Sequence, residues 1–154
     1  MLLHQVDRRR CAGDAETWMF PNLVALFPEQ ALALTEYRSA RLPAARIRAA
    51  THGYRGAMWP WESALTGFGE FQFNDDAEIH ISGDVANAFR LYYRMIKNQT
   101  WLRNSGWPVI RDSADFFASR AVACDKESCT LGGPAGATTS NLTYLSVVSP
   151  DESA

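Results

Sequence analysis

The stretch from Gly53 to Ser82 constrains this chain more than any other feature. It holds Gly53, Gly56, Gly67 and Gly69 together with Tyr54, Trp59, Trp61, Phe68, Phe71 and Phe73. Neither a helical nor a strand period runs through it, so residues 54–82 read as one long ordered loop. Loops of that length are uncommon inside a compact domain, and where they occur they usually carry function. A fold that tolerates one needs rigid elements on either side and something to cover the rings.

The flanks are helical. Ala31, Leu34 and Tyr37 recur at three-residue steps, with Leu32 and Leu42 extending the apolar set and Glu36, Arg38 and Arg41 between them. Pro43 is placed to break or restart this helix, Ala44 to Ala50 continues with good helix formers, and Gly53 fits a C-terminal stop. Upstream, Trp18 to Phe27 is apolar and contains Pro21, which is tolerated in a first helical turn. Beyond the loop, Asp84 to Lys97 predicts a second helix with Val85, Ala88, Phe89, Tyr92 and Ile96 on its apolar face. A short helix near Thr100 to Arg103 precedes a third main helix, which opens at Pro108, runs to about Val122 and buries Val109, Ile110, Ala114, Phe116 and Phe117. After Cys124 the helical signal stops. Gly132 to Ala137 is turn-rich, and Leu142 to Val148 alternates weakly, as one short strand would. The expected fold class is all-α: two or three helical hairpins joined by long loops.

Composition narrows the function classes. With 47% hydrophobic and 21% charged residues the chain is globular in type. A net charge of −2 gives no electrostatic argument for nucleic acid or for an anionic membrane. Arg8-Arg9-Arg10 reads as a solvated tip. No apolar run approaches the ~18 residues of a membrane span. The N-terminus places basic residues after its apolar ones, the reverse of a signal peptide, so the compartment stays open. Asn98-Gln99-Thr100 and Asn141-Leu142-Thr143 are glycosylation sequons by pattern. Cys11, Cys124 and Cys129 allow a Cys124–Cys129 bridge in an oxidising compartment or three free thiols. His4, His52 and His80 lie far apart and no Cys-x-x-Cys pair exists, so no metal site is expected.

Carboxylates and aromatics fall together at several places: Asp14 and Glu16 beside Trp18, Trp59-Pro60-Trp61-Glu62, Glu78 with His80, and Asp151-Glu152 after Pro150. Sugar sites use this mixture, because flat rings cover the apolar face of a pyranose and carboxylates accept hydrogen bonds from its hydroxyls. Each residue also has a plainer reading. Trp18, Trp101 and Trp107 are expected in the core, Trp59 and Trp61 are divided between core and site, and the acidic residues would serve equally as helix caps or solvated ends.

Four segments in register resemble one family. Asp14-Ala15-Glu16-Thr17-Trp18-Met19-Phe20-Pro21 is similar to the W-D-x-[ED]-x-W-M-F-P motif of glycoside hydrolase family 65. Gly56-Ala57-Met58-Trp59-Pro60-Trp61-Glu62-Ser63-Ala64 resembles its G-A-x-x-P-W-E-S-A segment. Glu78-Ile79-His80-Ile81-Ser82-Gly83-Asp84-Val85-Ala86 resembles its E-x-H-I-x-x-D-V-A, and Ser149-Pro150-Asp151-Glu152 its [GS]-P-D-E. The aromatic–Trp pair that precedes the family's aspartate is replaced by Ala12 and Gly13, and Glu127 to Asn141 is foreign to the family.

The resemblance implies a partial (α/α)6 toroid over residues 14–154, with 1–13 as a segment outside the family pattern. It implies an inverting glycosidase that cleaves an α-linked glucoside, a trehalose-like disaccharide or a glucosyl-galactosyl unit, without metal or organic cofactor. A disaccharide phosphorylase of the same family and a truncated carbohydrate-binding remnant are the alternatives. Glu152 matches the general acid and Asp14 a residue that holds glucose hydroxyls. Trp59, Trp61, Glu62, Glu78 and His80 fall in pocket-lining segments. The general base matches nothing in this sequence, so the segment alone is expected to be inactive.

Overall fold

The computed structural model describes residues 11–12, 15–69, 78–124 and 129–131, and the side chains of 15–69 and 78–121. The first element is a two-residue strand, β1 (Cys11–Ala12), followed by a π-helical turn at Ala15–Met19. Three helices come next: α1 (Phe20–Leu26), α2 (Pro28–Ala40) and α3 (Leu42–Thr51). Each carries proline in its first turn, at Pro21, Pro28 and Pro43, where the missing N–H would have no intrahelical partner. Pro43 therefore restarts the helix as the sequence predicts. The C-terminal stop is Gly53, at φ +79°.

The aromatic loop follows, interrupted by strand β2 (Glu62–Ser63). β1 and β2 pair antiparallel, with Cys11 opposite Ser63 and Ala12 opposite Glu62. The long helix α4 (Ile81–Ile96) starts three residues earlier than its periodicity suggests. A helical turn, α5 (Gln99–Trp101), and a second π turn (Leu102–Gly106) lead into α6 (Trp107–Arg120). α5 is capped by Asn98, whose side-chain oxygen accepts from the Thr100 and Trp101 amides. A hairpin, β3 (Ala121–Cys124) and β4 (Cys129–Leu131), closes the described chain and sets Cys124 opposite Cys129 in its register. Sequence periodicity does not reveal this hairpin. The Gly132–Ala137 and Leu142–Val148 readings lie outside the described residues.

α4 is the shared wall of the core. Its Ala88 and Tyr92 meet Phe20, Leu23 and Val24 of α1 and Ala31, Leu34 and Tyr37 of α2. Its Ile81, Val85 and Phe89 meet Leu42 and Ala45 of α3, Trp59 of the loop and Val109 of α6. A third cluster joins Ala49 of α3, Met58 and Ile79 of the loop, and Phe116 and Phe117 of α6. Residues 81–86 of α4 are buried without interruption, whereas Met95 and Ile96 at its other end are exposed. The helix thus drives its N-terminal end into the packed centre, beside the loop.

Two expectations about tryptophan fail among the described residues. Trp18 is 75% exposed and Trp107 49% exposed. In the first π turn Ala15 and Glu16 take the inward positions, and in α6 the inward row is Val109, Asp112, Ser113, Phe116, Phe117 and Arg120. Only Trp101 behaves as expected, stacked on Phe89 and tilted against Tyr92 with ring centroids 5.7 and 4.6 Å apart.

The helical architecture is that of a partial all-α toroid. No helix among the described residues is long and apolar enough to cross a membrane.

Candidate functional site

The loop that carries Trp59, Trp61 and Glu62 is fixed residue by residue to the helices around it. The Ala57 amide donates to the Asp112 carbonyl of α6 at 2.8 Å, and the Met58 amide to Ala45 of α3 at 3.0 Å. The Trp59 amide donates to Ser82 Oγ of α4 at 3.0 Å, and its indole Nε1–H to Ser113 Oγ of α6 at 3.1 Å. The Ser63 and Ala64 carbonyls lie 2.5 and 2.9 Å from the Tyr37 hydroxyl of α2. Four helices therefore hold one irregular segment, which satisfies backbone groups that burial would otherwise leave unpaired.

Close approach begins at Gly56. Its φ is +73°, and an added Cβ would stand 2.1 Å from the Asp112 carbonyl oxygen. Only glycine meets both demands. The Asp112 side chain is itself clamped, accepting from Arg46 Nε of α3 at 2.6 Å and from Arg111 Nε at 2.8 Å, so α3, α6 and the loop meet at one residue.

Beyond this anchor the expected site residues separate into layers. Trp59 is 1% exposed, with its ring in the core and its N–H satisfied, so it lies beneath the loop. Trp61 and Glu62 are only partly buried. The Trp61 ring meets His80 edge-on, with centroids 6.0 Å apart and planes at 62°. His80 stands at the N-terminal end of α4 between two carboxylates. Its Nδ1 is 3.2 Å from Glu78 Oε2, and its Nε2 is 4.0 Å from Asp84 Oδ2, one helical turn on. The structure therefore brings Trp61 to His80 and Glu78, two motifs that lie apart in sequence. It also adds Asp84, which the His-x-x-x-Asp spacing on one helix face signals.

The chemistry available is a partly buried indole and an imidazole held by carboxylates. Such a mixture stacks on a sugar ring and accepts hydrogen bonds from its hydroxyls. Among the described residues no group of three or more His, Cys, Asp or Glu side chains is arranged to hold a metal ion. Asp14 and Glu152 lie outside the described residues. Described neighbours of Asp14 are tied down: Ala12 pairs with Glu62, and Glu16 forms a buried ion pair with Arg38 of α2, Nε to Oε1 2.6 Å.

A separate open cavity of about 370 Å³ lies among α3, the loop and α6, lined by Arg46, Ala50, Tyr54, Arg55, Gly56, Arg111, Asp112 and Asp115. Among the described residues, none of those expected from sequence to touch sugar borders it.

Comparison with known proteins agrees with these motifs. Residues 10–138 match the family model for the glycosyl hydrolase family 65 central catalytic domain. The chain is 47% identical over 116 residues to a kojibiose hydrolase of Flavobacterium johnsoniae, covering 73% of this chain and 17% of that protein. It is 40% identical over 119 residues to the protein-glucosylgalactosylhydroxylysine glucosidase of Gallus gallus, covering 75% and 17%. To a kojibiose phosphorylase of Caldanaerobacter subterraneus it is 39% identical over 120 residues, covering 70% and 16%. A solved structure described as a candidate kojibiose phosphorylase from the human microbiome superposes with a TM-score of 0.67 at 23% identity, over 73% of this chain and 17% of that one, a likeness that shows the fold. The chain thus spans about a sixth of the length of these relatives, which include both hydrolases and phosphorylases of carbohydrate substrates. The chain belongs to glycosyl hydrolase family 65, and what it matches is part of that family's central catalytic domain.

Proposed function

We propose that the whole protein is an inverting glycoside hydrolase acting on an α-linked glucoside, a kojibiose-like or trehalose-like disaccharide or a glucosyl-galactosyl unit. This segment supplies the sugar-holding wall of its site. What supports the reading is the meeting of Trp61 with His80 and Glu78 at the buried start of α4. In this account Trp61, Glu62, Glu78 and His80 hold the glucose unit, Trp59 fixes the loop from below, and Asp14 binds its hydroxyls. Glu152 donates a proton to the leaving oxygen as the C1–O bond breaks. A base outside this segment removes a proton from the water that attacks C1 from the opposite face. The same reading takes residues 14–154 as catalytic domain and 1–13 as lying outside it. The segment by itself is inactive, because acid and base must act together.

A phosphorylase is the second reading, favoured by the relatives of that name. One assay separates the readings: kojibiose, trehalose and a glucosyl-galactoside are supplied to the whole protein with and without inorganic phosphate. Free glucose released at a phosphate-independent rate is the expected outcome. Glucose 1-phosphate would establish the phosphorylase, and turnover of none of the three would leave the segment a binding remnant.

A further inference from the structure

We propose that Arg38, which belongs to none of the four motifs, is the positioning residue of the sugar site, locking the segment after Asp14 to the segment that carries Trp61 and Glu62. This inference rests on the sugar-site reading above.

Arg38 lies near the end of α2 and is 1% exposed. On one side its Nε–H donates to Glu16 Oε1 at 2.6 Å, and that side chain is equally buried. Glu16 sits two residues after Asp14, in the first π turn. On the other side the Arg38 guanidinium carbon lies over the Trp59 ring, 5.8 Å from its centroid. Trp59 precedes Trp61 by two residues. One side chain therefore touches both motif segments, which lie more than forty residues apart along the chain. The same end of α2 continues the grip. The Tyr37 hydroxyl meets the Ser63 and Ala64 carbonyls, Arg41 Nε donates to Ala64 at 2.9 Å, and Arg41 Nη1 donates to the Tyr37 carbonyl at 2.9 Å.

Stability is a weak reason for this arrangement. A buried ion pair must overcome the desolvation of both charges, and well-packed apolar residues of similar volume are often as stable or more so. An apolar residue at position 38 would also fit a helix face that already buries Ala31, Leu34 and Tyr37. What an apolar residue cannot do is fix direction. A guanidinium is planar, and its N–H vectors are set by the fork, so it holds Glu16 at one angle while its charge lies within cation–π range of the indole. The pair thus orients two segments relative to each other, which a catalytic site held to within about 0.5 Å requires.

The test uses the full chain with Arg38→Met, Arg38→Lys and Glu16→Gln, followed by amide hydrogen exchange. Arg38→Met is expected to raise exchange about tenfold or more in both 15–19 and 57–64, leaving 85–89 and 113–117 unchanged. Arg38→Lys, which keeps the charge and loses the fork, is expected to restore neither segment. Ser113→Ala, which frees only the Trp59 indole, is expected to loosen 57–61 alone. Faster exchange in one segment only, or in neither, overturns the coupling. A rise that spreads through α4 and α6 marks a stability role and overturns it as well. In the whole protein, Arg38→Lys is expected to lower kcat at least tenfold with KM within a few-fold, and an unchanged kcat refutes the positioning role. If the unsubstituted protein turns over no glucoside, the hydrolase reading falls, and the exchange pattern alone then decides the coupling.

Discussion

Replacing Gly56 by alanine tests how the site loop is seated, and Gly53 provides a matched control. Both glycines adopt left-handed backbone, at φ +73° and +79°. An alanine at either position carries a conformational cost of about 1 kcal/mol. They differ in space. Around Gly53 an added Cβ meets nothing within 4 Å, whereas at Gly56 it stands 2.1 Å from the Asp112 oxygen and 2.5 Å from the Phe116 nitrogen. Relieving that clash moves the loop by about 1 Å, enough to break the 2.8 Å hydrogen bond from the Ala57 amide to Asp112. A buried amide left unpaired costs ~1–3 kcal/mol. Gly56→Ala should therefore destabilise the loop by about 2–4 kcal/mol and Gly53→Ala by about 1. At tenfold per 1.4 kcal/mol, amide exchange over residues 54–60 should quicken roughly 30- to 700-fold in the first variant and about fivefold in the second. Exchange no faster in Gly56→Ala than in Gly53→Ala would refute the steric argument and, with it, the seating of the loop on α6.

Three further outcomes follow from single contacts. Ser113→Ala strands the buried Trp59 indole N–H, a local cost of ~1–3 kcal/mol that should quicken amide exchange over residues 57–61 by roughly 5- to 150-fold. Asn98→Ala removes the acceptor for two amides at the start of α5 and should cost ~0.5–2 kcal/mol, with faster exchange at Thr100 and Trp101 and none elsewhere. The Tyr92 phenol is held above its ordinary value of 10.0, first by burial and then by the nearby Glu36 charge. Its contribution to stability is therefore full below pH 10 and declines as pH rises through the elevated folded value. Tyr92→Phe should abolish that part of the alkaline fall, and a stability profile identical to the unsubstituted protein would contradict it.

Helix positions were largely legible in the sequence, because proline and glycine fix backbone geometry locally. Pro28, Pro43 and Gly53 mark α2 and α3 within a residue or two. The start of α4 is harder to read. His80 offers its helix no side-chain cap, and the first turn is buried on every side, so no amphipathic period announces it. The β3–β4 hairpin escapes because Ala121 and Ala123 continue a helix as readily as they form a strand. The exposed Trp18 and Trp107 show that ring size does not decide burial, since position in the turn does. In the site, Trp61, Glu62, Glu78 and His80 are visible through motif resemblance. Arg38 is not, because an arginine on an amphipathic helix reads as a solvated side chain. Its partner Glu16 lies 22 residues away, and only the fold brings them together.

The proposed hydrolase reading has Glu152 protonate the departing oxygen. Its most direct test is kcat for Glu152→Gln in the whole protein, on the preferred α-glucoside and on an aryl glucoside with a good leaving group. The substitution preserves shape and removes the transferable proton. The expected result is a fall in kcat of about 10²–10⁴-fold on the disaccharide with KM within a few-fold, and much of the rate recovered on the aryl glucoside. An essentially unchanged kcat on the disaccharide would contradict the account, because the proton would then come from elsewhere.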